Sequence, residues 1–91
     1  MLVLFYFQWN GTVNEFQELL SRMKNVSAEI DGLDYKGVYV PASEWHYAVL
    51  FETTEYAKVL AVTKTYILKY GQMKISLGKF ELLHTFEELG I

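Results

Sequence analysis

The first nine residues, Met1-Leu-Val-Leu-Phe-Tyr-Phe-Gln-Trp9, read as a β-strand that is apolar on both faces. Successive side chains of a strand point to opposite sides. Leu2, Leu4, Tyr6 and Gln8 therefore share one face, and Val3, Phe5, Phe7 and Trp9 share the other. A sheet with water against one side alternates apolar with polar residues, and this stretch does not. The strand belongs at the centre of its sheet, with helices on one face and a second apolar layer on the other. The 91 residues make one domain, residues 1–91, with no material for a second core. The second layer is therefore expected to come from another copy of the chain.

Composition supports that expectation. Hydrophobic residues make up 52% of the chain and aromatic residues 16%. A monomer of this size buries only about 60–65% of the surface its unfolded chain exposes, which would leave large rings facing water unless an oligomer interface covered them. The net charge of −3 argues against a nucleic-acid partner, which needs a basic patch. The eight basic residues are dispersed, and Lys64, Lys69, Lys74 and Lys79 recur every five residues, off any common helix face. With no cysteine there is no disulfide framework, thiolate nucleophile or thiolate-bound metal. The apolar opening lacks the basic segment of a signal peptide, and no apolar run approaches the roughly 20 residues of a membrane span. A soluble, cytoplasmic protein is expected, without nucleic-acid or membrane partners.

Asn10-Gly11 ends the first strand with turn chemistry. Thr12 stands three residues before Glu15, the spacing of a capping box. Val13, Phe16, Leu19, Leu20, Met23 and Val26 then follow at helical steps and predict an amphipathic helix over 12–26. Beyond Asp31-Gly32, residues 33–40 alternate as a strand with Leu33, Tyr35 and Tyr39 on one side, where Gly37 permits a bulge or close packing. Pro41-Ala-Ser-Glu44 reads as a hairpin connection, and residues 45–52 as another strand apolar on both faces. Thr53-Thr54-Glu55 opens a second helix, striped by Tyr56, Val59, Leu60, Thr63, Ile67 and Tyr70 and stopped by Gly71. Residues 74–86 form a last strand, bulged or split near Gly78-Lys79. The order is β-α-β-β-α-β. Two right-handed crossovers and one hairpin give an α+β domain: a four-stranded antiparallel sheet in the order 4-1-3-2, with both helices on one face.

The opening Met-Leu with its alternating apolars, Gly32-Leu33-Asp34-Tyr35-Lys36-Gly37, Val49-Leu50-Phe51-Glu52-Thr53 and Phe80-Glu81-Leu82-Leu83 together resemble the dimeric α/β-barrel superfamily. Within it, the chain looks most like a family of stand-alone small domains of uncharacterised function. It departs from that pattern by extra residues between Gly71 and Lys79. The resemblance implies a ferredoxin-like fold and a homodimer whose sheets face each other across a two-fold axis. The superfamily includes cofactor-independent monooxygenases, haem-degrading enzymes, lactone isomerases and amino-acid-sensing domains, so the fold does not select a function. The haem-degrading branch uses a helix-borne histidine; here both histidines fall on expected strands, and none of those roles is carried over.

Tyr6 and Gln8 lie on the face assigned to the cavity between subunits, where a phenol and an amide need hydrogen-bond partners: each other, water or a small ligand. His46 is the candidate catalytic residue, because an imidazole titrates near neutral pH. It stands between Trp45 and Tyr47, although a lone strand histidine is more often structural than catalytic. Tyr6, Gln8, His46 and Tyr47 are thus the expected ligand-binding residues. Two histidines 38 positions apart match no metal-ligand spacing, and no nucleotide-binding or hydrolase motif is present, so neither metal nor cofactor is expected. The leading expectation is a small-molecule-binding or structural homodimer with a partly polar cavity between facing sheets. The alternatives are a cofactor-independent monooxygenase or isomerase acting on a small apolar substrate, and a protein-interaction module.

Overall fold

A computed structural model of the chain describes residues 1–64 and 74–90. Its elements run β1 (Leu2–Trp9), α1 (Val13–Ala28), β2 (Leu33–Tyr39), β3 (Tyr47–Thr53), α2 (Tyr56–Val62) and β4 (Ile75–Leu83). All pairings are antiparallel, and the sheet order is β2-β3-β1-β4. This is the expected 4-1-3-2 order counted from the opposite edge, and the fold is ferredoxin-like. β1 and β3, the two strands apolar on both sides, occupy the centre.

One row of β1 forms the base of the core. Val3, Phe5, Phe7 and Trp9 are buried, together with Val49 and Phe51 of β3. The register places Val3 opposite Phe51 and Phe5 opposite Val49, so these rows are contiguous. α1 lowers Phe16, Leu19 and Met23 onto them, and α2 contributes Val59 and Val62. The Phe16 ring stacks on Tyr47 at 3.9 Å and meets Phe7 and Trp9 at 5.9 and 5.5 Å. Both helices therefore cover the same sheet face.

The entry to α1 is built as the sequence implies. The Glu15 N–H donates to Thr12 Oγ1 (3.1 Å), and the Thr12 N–H donates to Glu15 Oε1 (2.9 Å). That backbone donation from Thr12 is the main cause holding the Glu15 carboxyl below its ordinary pKa. The helix runs two residues beyond the expected end at Val26, to Ala28. α2 is described from Tyr56 to Val62; Ile67, Tyr70 and the stop at Gly71 lie outside the described residues.

Three local features sharpen or correct the sequence reading. β3 begins at Tyr47 rather than Trp45. In β2 the register shifts between Tyr35 and Gly37, so Lys36 is the extra residue of a bulge. Gly37 has φ +135°, a conformation that L side chains rarely adopt. The bulge reverses the alternation: Tyr35 pairs with Phe51 on the helix side, while Tyr39 pairs with Ala48 on the opposite face. Tyr39 thus leaves the side it was expected to share with Leu33. Finally, β4 crosses Gly78 without splitting and ends at Leu83, leaving Phe86 exposed in the turn that follows.

Gly78 has a packing reason. It pairs with Phe7, and a Cβ there would lie 2.9 Å from Cε1 of Phe5, whose ring stacks on Phe80 at 4.6 Å. After β4 the chain returns to the N-terminus. The Met1 ammonium donates to the Thr53 carbonyl and pairs with Glu88 Oε2, each at 3.0 Å. Thr85 and Glu88 exchange reciprocal bonds of 3.1 Å that close the turn.

Two outcomes follow from these contacts. Gly78→Ala should destabilise the domain by about 1–3 kcal/mol, because the Phe5–Phe80 stack must move aside; denaturant unfolding measures it, and an unchanged midpoint would contradict the packing argument. The hydrogen bond from the Met1 ammonium, with that from the Thr85 backbone, depresses the Glu88 pKa from 4.5 to about 2. A depressed carboxylate stabilises above its unfolded pKa and loses that contribution as pH falls through the folded value. Amide exchange in residues 85–90 should therefore accelerate between pH 4.5 and about 2 relative to the sheet, and Glu88→Gln should show the faster exchange at neutral pH.

Candidate functional site

The sheet face away from the helices carries Leu2, Leu4, Tyr6 and Gln8 of β1, and Ala48, Leu50 and Glu52 of β3. β2 adds Asp34 and Tyr39, and β4 adds Lys79, Glu81 and Leu83. The centre is apolar and the rims are charged. Lys36 Nζ stands 3.4 Å from Glu52 at one rim, and Lys79 Nζ stands 3.8 Å from Glu81 at the other, 5.8 Å from the centre of the Tyr6 ring. Leu2, Leu4, Tyr6 and Leu50 are half-buried, Tyr39 is 54% exposed and Leu83 39%. No described helix lies over this surface.

Tyr6 and Gln8 sit on this face, on the side opposite the packed row. Gln8 Nε2 donates to the Glu44 carbonyl (3.2 Å), tying β1 to the β2–β3 connection. The Tyr6 ring lies 6.3 Å from Trp45. No described residue takes a hydrogen bond from the Tyr6 hydroxyl.

His46 and Tyr47 go elsewhere. Tyr47 turns to the helix side, stacked on Phe16. His46 stands at the end of the sheet, where its N–H donates to the Phe7 carbonyl (3.1 Å) and its Nδ1 accepts the Trp9 N–H (3.0 Å). This side chain continues the β1–β3 ladder past the point where backbone partners end, and the bond to Nδ1 puts the ring proton on Nε2. The four expected ligand residues thus divide into two pairs. Tyr6 and Gln8 belong to the open face; His46 and Tyr47 line a cleft of about 470 Å³ at the hairpin end.

Trp9, Trp45 and Pro41 also line that cleft, flanked by Val13 and Val40. The sequence reading did not single these out as site residues. The available signal was the placement of exposed apolar residues just beyond the ends of β1 and β2, Val13 and Val40, but only the β1–β3 register brings residues 9–13 against residues 40–47. Among the described residues no group of three or more His, Asp or Glu residues is placed to hold a metal ion, and no helix is long and apolar enough to cross a membrane.

No protein-family model matches the chain, and neither a curated protein nor a solved structure matches it significantly.

The role of His46 in the ladder is testable. His46→Ala should leave the half-buried Trp9 N–H without its acceptor and cost about 1–3 kcal/mol. Exchange of the Trp9 amide should accelerate more than that of Phe5. Equal protection in both proteins would show that the bond does not hold this end of the sheet.

Proposed function

We propose that the chain acts as a homodimer in which two open sheet faces meet, enclosing a partly polar cavity for a small, largely apolar molecule at Tyr6 and Gln8. The observation that carries this reading is the apolar centre of the face opposite the helices, formed by Leu2, Leu4, Tyr6, Ala48 and Leu50. A contiguous apolar patch left partly open to solvent and rimmed by charge marks a binding surface. The molecule measures 43 × 31 × 17 Å. Its broad side exceeds the roughly 800 Å² that each partner contributes to an interface of standard size.

A second copy fits the chemistry of this face better than an unrelated partner. A two-fold interface brings the same patch of both subunits together, so the patch must complement itself. Each rim carries both signs, Lys36 with Glu52 and Lys79 with Glu81. Each edge therefore offers a partner of either sign to a rotated copy. The resemblance to dimeric α/β barrels supports the same pairing. Binding is favoured over catalysis because Tyr6 and Gln8 supply orienting polar groups, whereas Nδ1 of His46 is committed to the backbone of Trp9. The pairing of faces also accounts for the Tyr6 hydroxyl, which is available to a ligand or to the facing subunit.

The chain has no cysteine, so a single introduced thiol can be labelled cleanly. Face-to-face sheets pack about 10 Å apart. A nitroxide on Leu50→Cys should then show strong dipolar broadening between two subunits, removed by dilution with unlabelled protein, while one on Glu29→Cys at the end of α1 should show far less. Equal spectra from the two positions would place any self-association on another surface.

A further inference from the structure

We infer that the cleft at the hairpin end is a binding site for a flat aromatic compound carrying a hydrogen-bond acceptor, such as a carboxylate or carbonyl oxygen. The cleft is formed by one copy of the chain and adjoins the open sheet face only through Trp45, whose ring lies 6.3 Å from Tyr6. Its volume, about 470 Å³, falls within the roughly 300–1,000 Å³ of small-molecule sites.

The lining defines the ligand class. Two indoles, Trp9 and Trp45, and the Tyr47 ring offer flat apolar surfaces, and aromatic rings prefer offset or edge contacts with other rings. The Trp9 indole N–H is occupied, donating to the Thr12 carbonyl at 3.0 Å. The imidazole of His46 is held by the Trp9 N–H on Nδ1, which leaves Nε2–H as its outward donor. Among the described residues no Asp, Glu, Lys or Arg lines the cleft, so no carboxylate there offers a salt bridge to a cation, and the donor that selects for an acceptor oxygen is His46. Val13 and Val40, at 65% and 78% exposure, stand at the edge of the cleft and would gain cover from a bound ring. A ring against the indoles, with an acceptor oxygen toward His46, satisfies each of these groups.

Both tryptophans of the chain line the cleft, so their indole N–H resonances report on it directly. The probes are 2-naphthoate, 2-acetonaphthone and 2-naphthylmethylammonium, which share a ring system but present an anionic acceptor, a neutral acceptor and a donor. Titration of the full chain should give saturable shifts of both indole resonances with the first two probes, and binding about tenfold weaker for the ammonium compound. Val40→Glu should weaken 2-naphthoate at least fivefold, and 2-acetonaphthone less, with the rest of the amide spectrum unchanged. Leu4→Lys on the sheet face should leave the affinity intact whether or not it alters self-association, which separates this site from the proposed dimer. The inference is overturned if neither acceptor probe saturates, if the shifts centre on Tyr6 and Leu50, or if the ammonium compound binds as well as 2-naphthoate.

Discussion

Everything in this molecule depends on the burial of one row of β1, Val3, Phe5, Phe7 and Trp9, beneath two helices. Large apolar side chains of this kind are each worth about 1.5–3 kcal/mol when buried. The row also makes contacts that fix its neighbours. Phe5 stacks on Phe80 of β4, Phe7 meets Phe16 of α1, and Trp9 donates its backbone N–H to the His46 imidazole. A one-residue slip of β1 would turn this row to the far face. Register, helix docking and the position of the hairpin are consequently one problem with one solution.

That solution leaves its opposite face behind. With both helices committed to the Val3–Trp9 row, Leu2, Leu4 and Tyr6 have no described element above them. The bulge at Lys36-Gly37 enlarges this surface by turning Tyr39 onto it, and it brings Lys36 to Glu52 at the rim. The open face and the cleft meet at Trp45, whose ring lies near Tyr6 while the residue also lines the cleft.

The parts of the fold legible in the sequence are those governed by short-range rules. Alternation identified β1 and its two rows, and the three-residue step from Thr12 to Glu15 marked the start of α1, which the reciprocal bonds confirm. Strand order followed from chain connectivity. What escaped depends on partners far along the chain. Gly78 reads as an interruption until Phe5 is known to lie over it, 73 positions away. Tyr39 changes face because one residue is inserted into the ladder, which alternation alone does not register. His46 is the candidate catalytic residue of the sequence, but its Nδ1 accepts from a backbone amide 37 positions away, which the sequence does not show. Tyr6 and Gln8 were placed on the correct face because they needed only the period of a strand, whereas the lining of the cleft needed the β1–β3 register.

The most direct measurement of the central claim, that the open sheet face is covered by a second copy, is the mass of the unmodified chain in solution by sedimentation equilibrium from about 1 μM to about 100 μM, a range in which an interface of standard size associates. The account predicts a species of twice the 10.6 kDa chain mass across most of that range. A mass of one chain at every concentration would contradict it.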